Sequence, residues 1–478
     1  MAMHDSIFRK YDIRGITGSE LDLTEVYRLG QAIARYFLAK NPLIKAVAVG
    51  MDGRVHSPQM RDDLCRALQE SGLDVIFIGI CPSPTLYFSL HYKNIAAGVM
   101  ITASHNPGEY NGFKICLGEK SVWGDELQVI KALYHDIRVQ EGLTYSGAAM
   151  GSFMYVPMVT PYVEYLVDHF SHLRGMQQRI VIDCANGAAG AVLPALVAAM
   201  DWPHVQLLYP EIDGTYPNHE ADPTVEENMD DIRAVIDQGS ADYGIGLDGD
   251  ADRMAVISES RTLIPGDKLL ALFAADMKDE HPGMGVVCDI KSSMGLLALI
   301  AQWGLTHYMV PCGHSYVKEK MDATHAILGG EFSCHFCFSD RYFGYDDGIY
   351  ATLRFIEIVA KTGKTVDQLL SIFPYTVSSP ELRIPCAQVL HQHIIDAIYE
   401  AFTDRSDATM LTIDGIRVHV PYGWGNVRAS NTQPVLSVRF ESTSKQELAR
   451  IKEDFFVIMK QYIDEEILQL YFKKGLCD

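Results

Sequence analysis

Short apolar runs alternate with amphipathic stretches along most of this chain, and the alternation recurs in three cycles. Residues 46–50 are an apolar run closed by the turn Met51-Asp52-Gly53-Arg54, which predicts a buried strand. Ser57-Pro58 then opens a helix, with serine as N-cap and proline at the first helical position, and Gly72 stops it. Residues 75–78 predict a second strand, Thr85 marks a short helix, and 96–101 predict a third strand. The second cycle runs through a strand at 179–183, the turn Asn186-Gly187, a helix over 188–200, a strand at 205–209, a helix over 229–238 and a strand at 243–247. The third places strands at 286–290 and 307–310 around a helix over 292–303. Each cycle ends in a polar cluster, at Ser104, at Asp248 and at Glu331. This pattern predicts α/β layers, whose ligands bind beyond the carboxyl ends of strands.

Beyond residue 379 the pattern changes. Residues 410–413 and 416–420 flank Asp414-Gly415 and predict a β-hairpin, and 434–441 predict a further strand. Ser444-x-x-Glu447 is a capping box ahead of Leu448, Ile451, Phe455, Ile458 and Ile463 near helical spacing. At 478 residues the chain is too long for one core. Four domains are expected, at 1–150, 151–264, 265–378 and 379–478: three related α/β domains with mixed sheets and a C-terminal α+β domain, around a central cleft.

Composition narrows the partners. Apolar residues make up 48% and charged residues 21%, the balance of a soluble globular protein. Forty basic against 61 acidic residues give a net charge of −21, which repels nucleic acid and anionic membranes. A phosphate site in such a chain must be a local cationic cleft. The ten cysteines include one lone C-x-x-C, Cys334 and Cys337, without the partners a zinc site needs. Residues 1–10 lack an apolar signal core, and a cytoplasmic, reduced protein is expected.

Four clusters carry candidate chemistry. The run 101–114 sets Ser104 on a polar turn after an apolar segment, beside His105, Asn106, Asn111 and Lys114, the donors and cation that a phosphorylated serine requires. Asp248-Gly249-Asp250-Ala251-Asp252-Arg253 packs three carboxylates into one loop, and like charges that close call for a hard divalent cation such as Mg²⁺. An EF-hand reading fails because Arg253 stands where the turn glycine belongs and no helix pair flanks the loop. Arg428-Ala429-Ser430-Asn431-Thr432-Gln433-Pro434 offers a guanidinium fork, two hydroxyls and an amide suited to a phosphate. Glu331 and Ser333, at i and i+2 on an expected extended loop, suit a vicinal diol.

These segments, in order along nearly the whole chain, resemble the α-D-phosphohexomutase superfamily, most closely its bacterial phosphomannomutase/phosphoglucomutase group. The resemblance implies that Ser104 is the phosphoserine and the fourth metal ligand beside Asp248, Asp250 and Asp252. It implies that Glu331 and Ser333 grip sugar hydroxyls and that Arg428, Ser430, Asn431 and Thr432 hold the phosphate not being transferred. Tyr11 and Arg14, in Tyr11-Asp12-Ile13-Arg14-Gly15, line the cleft, while Lys291 and His314 contact the sugar phosphate. His105 orients or shields the phosphoserine, Arg253 lies near the reacting phosphate, and Lys114, His335 or Arg253 takes the hydroxyl proton. Asp52 and Arg54 read as a structural pair supporting the serine loop. The family has glycine where this chain has Ala251 and Cys334. The implied activity is interconversion of hexose 6-phosphate and hexose 1-phosphate, of mannose or glucose, through a hexose 1,6-bisphosphate that is intermediate and activator. Partners would be small sugar phosphates, with the protein a monomer or weak dimer whose C-terminal domain hinges. Phosphoglucosamine mutase, a Mg²⁺-dependent sugar phosphatase and a non-catalytic sugar-phosphate binder are the alternatives.

Overall fold

The computed structural model describes residues 3–139, 149–430 and 434–473. The chain divides into two compact units, Met1–Gly266 with Ser333–Leu369, and Asp267–Phe332 with Leu370–Asp478.

Unit 1 opens with a seven-stranded mixed sheet in the order Ile13–Ile16, Tyr110–Leu117, Ala97–Ile101, Ala46–Met51, Asp74–Ile80, Phe153–Tyr155, with Lys120–Ser121 beside Tyr110–Leu117. Ala46–Met51 runs parallel to both neighbours, as the alternation of strands and helices predicts. The strand ending at Ile101 turns through the serine loop into Tyr110–Leu117, its antiparallel neighbour. The apolar pattern alone does not reveal that second strand, because Asn111, Gly112 and Lys114 interrupt it, yet all three are buried. The helix predicted at Ser57 spans Ser57–Glu70. Ser57 does not cap it, however; its hydroxyl donates to Asp52 Oδ1 at 2.8 Å. Leu29, Ile33, Leu64, Leu68 and Ile130 from the helices share a core with Val47, Val49 and Val99 of the sheet. Each such side chain withdrawn from water contributes roughly 1.5–3 kcal/mol.

The second sheet of unit 1 has the order Leu263–Ile264, Met254–Ile257, Tyr243–Leu247, Ile180–Asp183, Val205–Leu208. Tyr243–Leu247 is parallel to Ile180–Asp183 and antiparallel to Met254–Ile257, so Asp248 to Arg253 form the tip of a hairpin. The helix expected over 188–200 is divided into a 3₁₀ turn, Ala188–Ala191, and a helix, Leu193–Ala199. Pro194 explains the division, since a residue without an N–H starts a helix more easily than it continues one.

In unit 2, Gly285–Asp289 lies between Thr306–Val310 and Leu328–Gly330, all parallel. The C-terminal sheet is antiparallel, in the order Val377–Ser378, Val435–Ser442, Gly423–Ala429, Ile416–Val420, Thr409–Leu411, with Leu382–Pro385 also on Val435–Ser442. Ile394, Ile398, Ile451 and Phe455 from two helices pack on Val418, Val427, Val438 and Phe440. Ser444 caps its helix, its Oγ accepting the Glu447 N–H at 3.2 Å, while Glu447 Oε2 accepts the Ser444 hydroxyl and not its N–H. The predicted hairpin forms with a longer connection than an Asp-Gly turn, because Leu411 pairs with Arg417. The expected α/β segments and the α+β C-terminal segment are therefore what this chain builds. Among the described residues no helix is long and apolar enough to cross a membrane.

Candidate active site

Ser104 stands at the first bend after Ile101 with φ at +51°. That left-handed conformation costs an L-residue roughly 1–2 kcal/mol, so its surroundings must impose it. Arg54, fully buried, supplies the constraint: its guanidinium donates to the carbonyl oxygens of Ser104 at 2.8 Å, Asn106 at 2.6 Å, Pro107 at 2.6 Å and Tyr110 at 3.0 Å. Asp52 Oδ2 accepts from Arg54 Nε at 3.1 Å, which makes the pair the scaffold of the loop, as the sequence suggested. Thr102 Oγ1 accepts the Ser104 N–H at 2.9 Å.

The aspartate hairpin meets this loop. Ser104 Oγ donates to Asp248 Oδ2 at 2.9 Å. Lys114 Nζ bonds Asp250 Oδ2 at 2.6 Å and Asp252 Oδ2 at 2.5 Å. Arg253 reaches Asp248 twice, through its backbone N–H at 3.1 Å and its Nε at 3.2 Å. Gly249 makes the approach possible, since a Cβ there would lie 2.4 Å from the Ser104 carbonyl oxygen. Ala251 and Cys334, the two departures from the expected glycines, keep left-handed backbones at φ +57° and +70°.

Asp248, Asp250 and Asp252 are all fully buried. Two cations, Lys114 and Arg253, face these three carboxylates, and Arg253 is shared with Asp222, so carboxylates outnumber cations. Burial, and after it the charge of Asp252, raises Asp248 to about 7. Asp250 Oδ1 is buried without a hydrogen-bond partner among the described residues. Carboxylate oxygens of the three lie within 4.8 Å of one another, and a second group of that spacing joins oxygens of Asp252 and Asp346 to a ring nitrogen of His335. An all-oxygen donor set with excess negative charge and an unsatisfied lone pair fits a hard divalent cation.

His105 Nδ1 lies 3.1 Å from Ser104 Oγ, and its Nε2 is 4.0 Å from Asp222. Asp222, which also bonds Arg253 Nη1 at 3.3 Å, reaches the cluster from a separate loop, and no sequence motif marks it. Asp346 comes from a further loop, and no motif marks it either. His335 Nε2 is 3.4 Å from Asp252 Oδ1, and His335 Nδ1 is 3.4 Å from Ser333 Oγ. Burial alone would lower the Lys114 ammonium, but Asp250 and Asp252 outweigh it and hold the group above the ordinary lysine range. Arg253 is likewise held fully charged by Asp222 and Asp248 against its burial. Arg14 Nη1 donates to Asn106 Oδ1 at 2.6 Å, tying the N-terminal strand to the serine loop. Tyr11 lies against Trp123, ring centroids 6.5 Å apart. The chain from Phe332 to Cys334 is turned, so the extended geometry expected for Glu331 and Ser333 is not present.

Unit 2 gathers the remaining candidates. Glu331 Oε1 accepts the Gly313 N–H at 2.6 Å, next to His314 at the start of its helix. Lys291 Nζ is 3.2 Å from Glu381 Oε2. Arg428 Nε donates to Asp414 Oδ2 at 2.7 Å, and the same oxygen accepts the Cys312 N–H at 3.1 Å. Burial raises Asp289 to about 6, with Lys291 opposing and Glu331 reinforcing the shift. Ser430 is half-buried, its N–H bonded to the Val435 oxygen at 3.0 Å; Asn431 and Thr432 lie outside the described residues.

Known families match in the same order as these sites. Phosphoglucomutase/phosphomannomutase alpha/beta/alpha domain I matches residues 5–141, domain II 160–261, domain III 265–375, and the C-terminal domain 381–457. This chain belongs to the phosphoglucomutase/phosphomannomutase family. The phosphomannomutase/phosphoglucomutase of Pseudomonas aeruginosa is 38% identical over 450 residues, 94% of each chain. The phosphoglucomutase of Neisseria gonorrhoeae is 36% identical over 455 residues, 95% of this chain and 96% of that one. A crystal structure of a phosphoglucomutase/phosphomannomutase family protein from Burkholderia thailandensis superposes with a TM-score of 0.87 at 34% identity, covering 96% of this chain and 98% of that one. Mutase chemistry is thus the frame for the geometry above.

Proposed function

We propose that this mutase interconverts hexose 6-phosphate and hexose 1-phosphate, with mannose and glucose as the sugars, by way of a phosphoserine at Ser104. The observation that carries the reading is the Ser104 hydroxyl 2.9 Å from Asp248, inside a cluster holding three carboxylates, Lys114 and Arg253. When Ser104 carries phosphate, the bond from phosphorus to Oγ breaks as a bond to the free sugar hydroxyl forms, giving the 1,6-bisphosphate. The bisphosphate turns over and returns its other phosphate to Oγ. Asp248, Asp250, Asp252 and the phosphoserine would hold Mg²⁺, which offsets charge on the group in transfer.

The chain's own residues divide the remaining work. Lys114 and Arg253 are locked as cations by their carboxylate partners and so stabilise charge. His335 is left as the proton acceptor, with Asp252 and Ser333 fixing the orientation of its ring. His105 holds the serine oxygen. Lys291, His314, Glu331 and Ser333 take the sugar, and Arg428 with Ser430, Asn431 and Thr432 takes the distal phosphate; Tyr11 and Arg14 line the cleft, Arg14 bonded to Asn106 of the serine loop. In support, the curated relatives bear phosphomannomutase and phosphoglucomutase names.

Ser104→Ala tests the reading. Turnover of mannose 1-phosphate and glucose 1-phosphate, with the matching 1,6-bisphosphate supplied, should fall to background while the melting temperature is unchanged. Normal turnover in that variant removes the phosphoserine.

A further inference from the structure

Two arginines from the C-terminal sheet are buried with their charges turned toward the loop that carries Lys291. Arg417 is fully buried and Arg439 is 2% exposed. Arg417 Nη1 donates to the carbonyl oxygens of Ile290 at 2.5 Å and Ser292 at 2.7 Å. Arg439 Nη1 donates to the carbonyl oxygen between them, that of Lys291, and to Asp267 Oδ2 at 3.2 Å. Three successive carbonyls at the end of the strand Gly285–Asp289 are therefore each gripped by a guanidinium. The side chain of Lys291 is held separately, by Glu381, whose other oxygen accepts from Ser437.

Joining two sheets does not require this arrangement. A buried guanidinium is costly to desolvate, and apolar side chains of equal volume often give as much stability. Among the described residues Arg417 has no carboxylate hydrogen-bond partner, and its Nη2 has no partner. What a guanidinium adds is direction, because its planar fork fixes the oxygens it binds. The rings around it serve the same end. Arg417 stacks 3.7 Å from the Trp424 centroid, and Arg439 lies 3.9 Å from the Phe332 centroid. Lys291 Nζ is 5.4 Å from that same Phe332 ring, whose backbone neighbour is Glu331.

We propose that Arg439 and Arg417 are positioning residues for Lys291: they fix its backbone through the carbonyls of residues 290–292, while Glu381 aims its ammonium. This rests on the reading of Lys291 as a cation that binds the sugar phosphate. The two arginines touch no substrate in this scheme; they set where the cation stands.

A double-mutant cycle tests it. Arg439→Lys, Lys291→Met and the double variant are titrated with glucose 1-phosphate by calorimetry, and kcat is measured in parallel. Arg439→Lys should weaken binding by about tenfold, the scale of one lost charge-assisted contact, with kcat changed by less than about threefold. The double variant should bind no more weakly than Lys291→Met alone. Multiplying losses, an unchanged Kd in Lys291→Met, or a loss confined to kcat would each overturn the proposal. Should Arg439→Lys fail to fold, Glu381→Gln replaces it, since it keeps the Ser437 contact and removes only the charge facing Lys291; additive losses there overturn the proposal equally. Absence of mutase turnover in the unaltered protein sinks the functional reading instead, and leaves the binding cycle to decide this one.

Discussion

Replacing Arg54 by lysine should cripple the enzyme without unfolding it. The guanidinium holds four carbonyl oxygens of the serine loop, and a single ammonium can reach one or two of them. Each lost charge-assisted bond is worth about 1.5–3 kcal/mol, so losing two removes about 3–6 kcal/mol of restraint. The strain it opposes, Ser104 in a left-handed conformation, is about 1–2 kcal/mol. The bonds that remain, worth about 3–6 kcal/mol, still exceed the strain, so the left-handed turn survives; two of the four carbonyls are released, however, and the serine oxygen moves. Displacing a reacting group by about 1 Å costs on the order of 100-fold in rate, which is the expected fall in kcat for Arg54→Lys. The assay is steady-state turnover of glucose 1-phosphate with bisphosphate supplied, alongside intact-mass measurement of phosphate on Ser104. A folded Arg54→Lys protein that keeps kcat within about threefold, and the same phosphate occupancy, would refute the argument.

Two further outcomes follow from the geometry. Gly249→Ala should separate the aspartate hairpin from the serine loop, because the new methyl would meet the Ser104 carbonyl oxygen at 2.4 Å; loss of Mg²⁺-induced thermal stabilisation is the readout, and an unchanged shift contradicts it. His419 accepts from Arg417 Nε at 2.9 Å and must be neutral to do so, and burial followed by the Arg417 charge lowers it to about 4. Between about 4 and the unfolded value near 6.5 the unfolded chain binds the extra proton, so stability at this site falls as pH drops through that window. Urea midpoints at pH 7 and pH 4.5 should diverge more in the unaltered protein than in His419→Gln, and equal slopes would contradict the assignment.

The parts of the site that could be read in the sequence are those whose chemistry is contiguous. Ser104 with its loop, and the three aspartates, each sit on one turn, and strand-end logic links turns to ligands. Asp222 and Asp346 could not be found that way, because each reaches the cluster from a separate loop. Lys114 was visible as a residue but not as part of a strand; an ammonium in the middle of a sheet is stable only with Asp250 and Asp252 waiting for it. Arg417 and Arg439 lie at polar positions of alternating strands, a pattern that normally marks a solvent face. Here the face is covered, and the alternation conceals an interior rather than revealing an exterior. The Asp-Gly turn misled in length because turn residues fix a bend and not the register on either side of it.

Asp414 has a consequence for which sugars fit. One of its oxygens bonds both Arg428 and the backbone of Cys312, two residues before His314. The arginine proposed to seize one end of the molecule is thereby bolted to the loop proposed to cradle its ring. The two jaws then behave as a caliper of set gauge, and the reach from phosphate to ring becomes a criterion for entry.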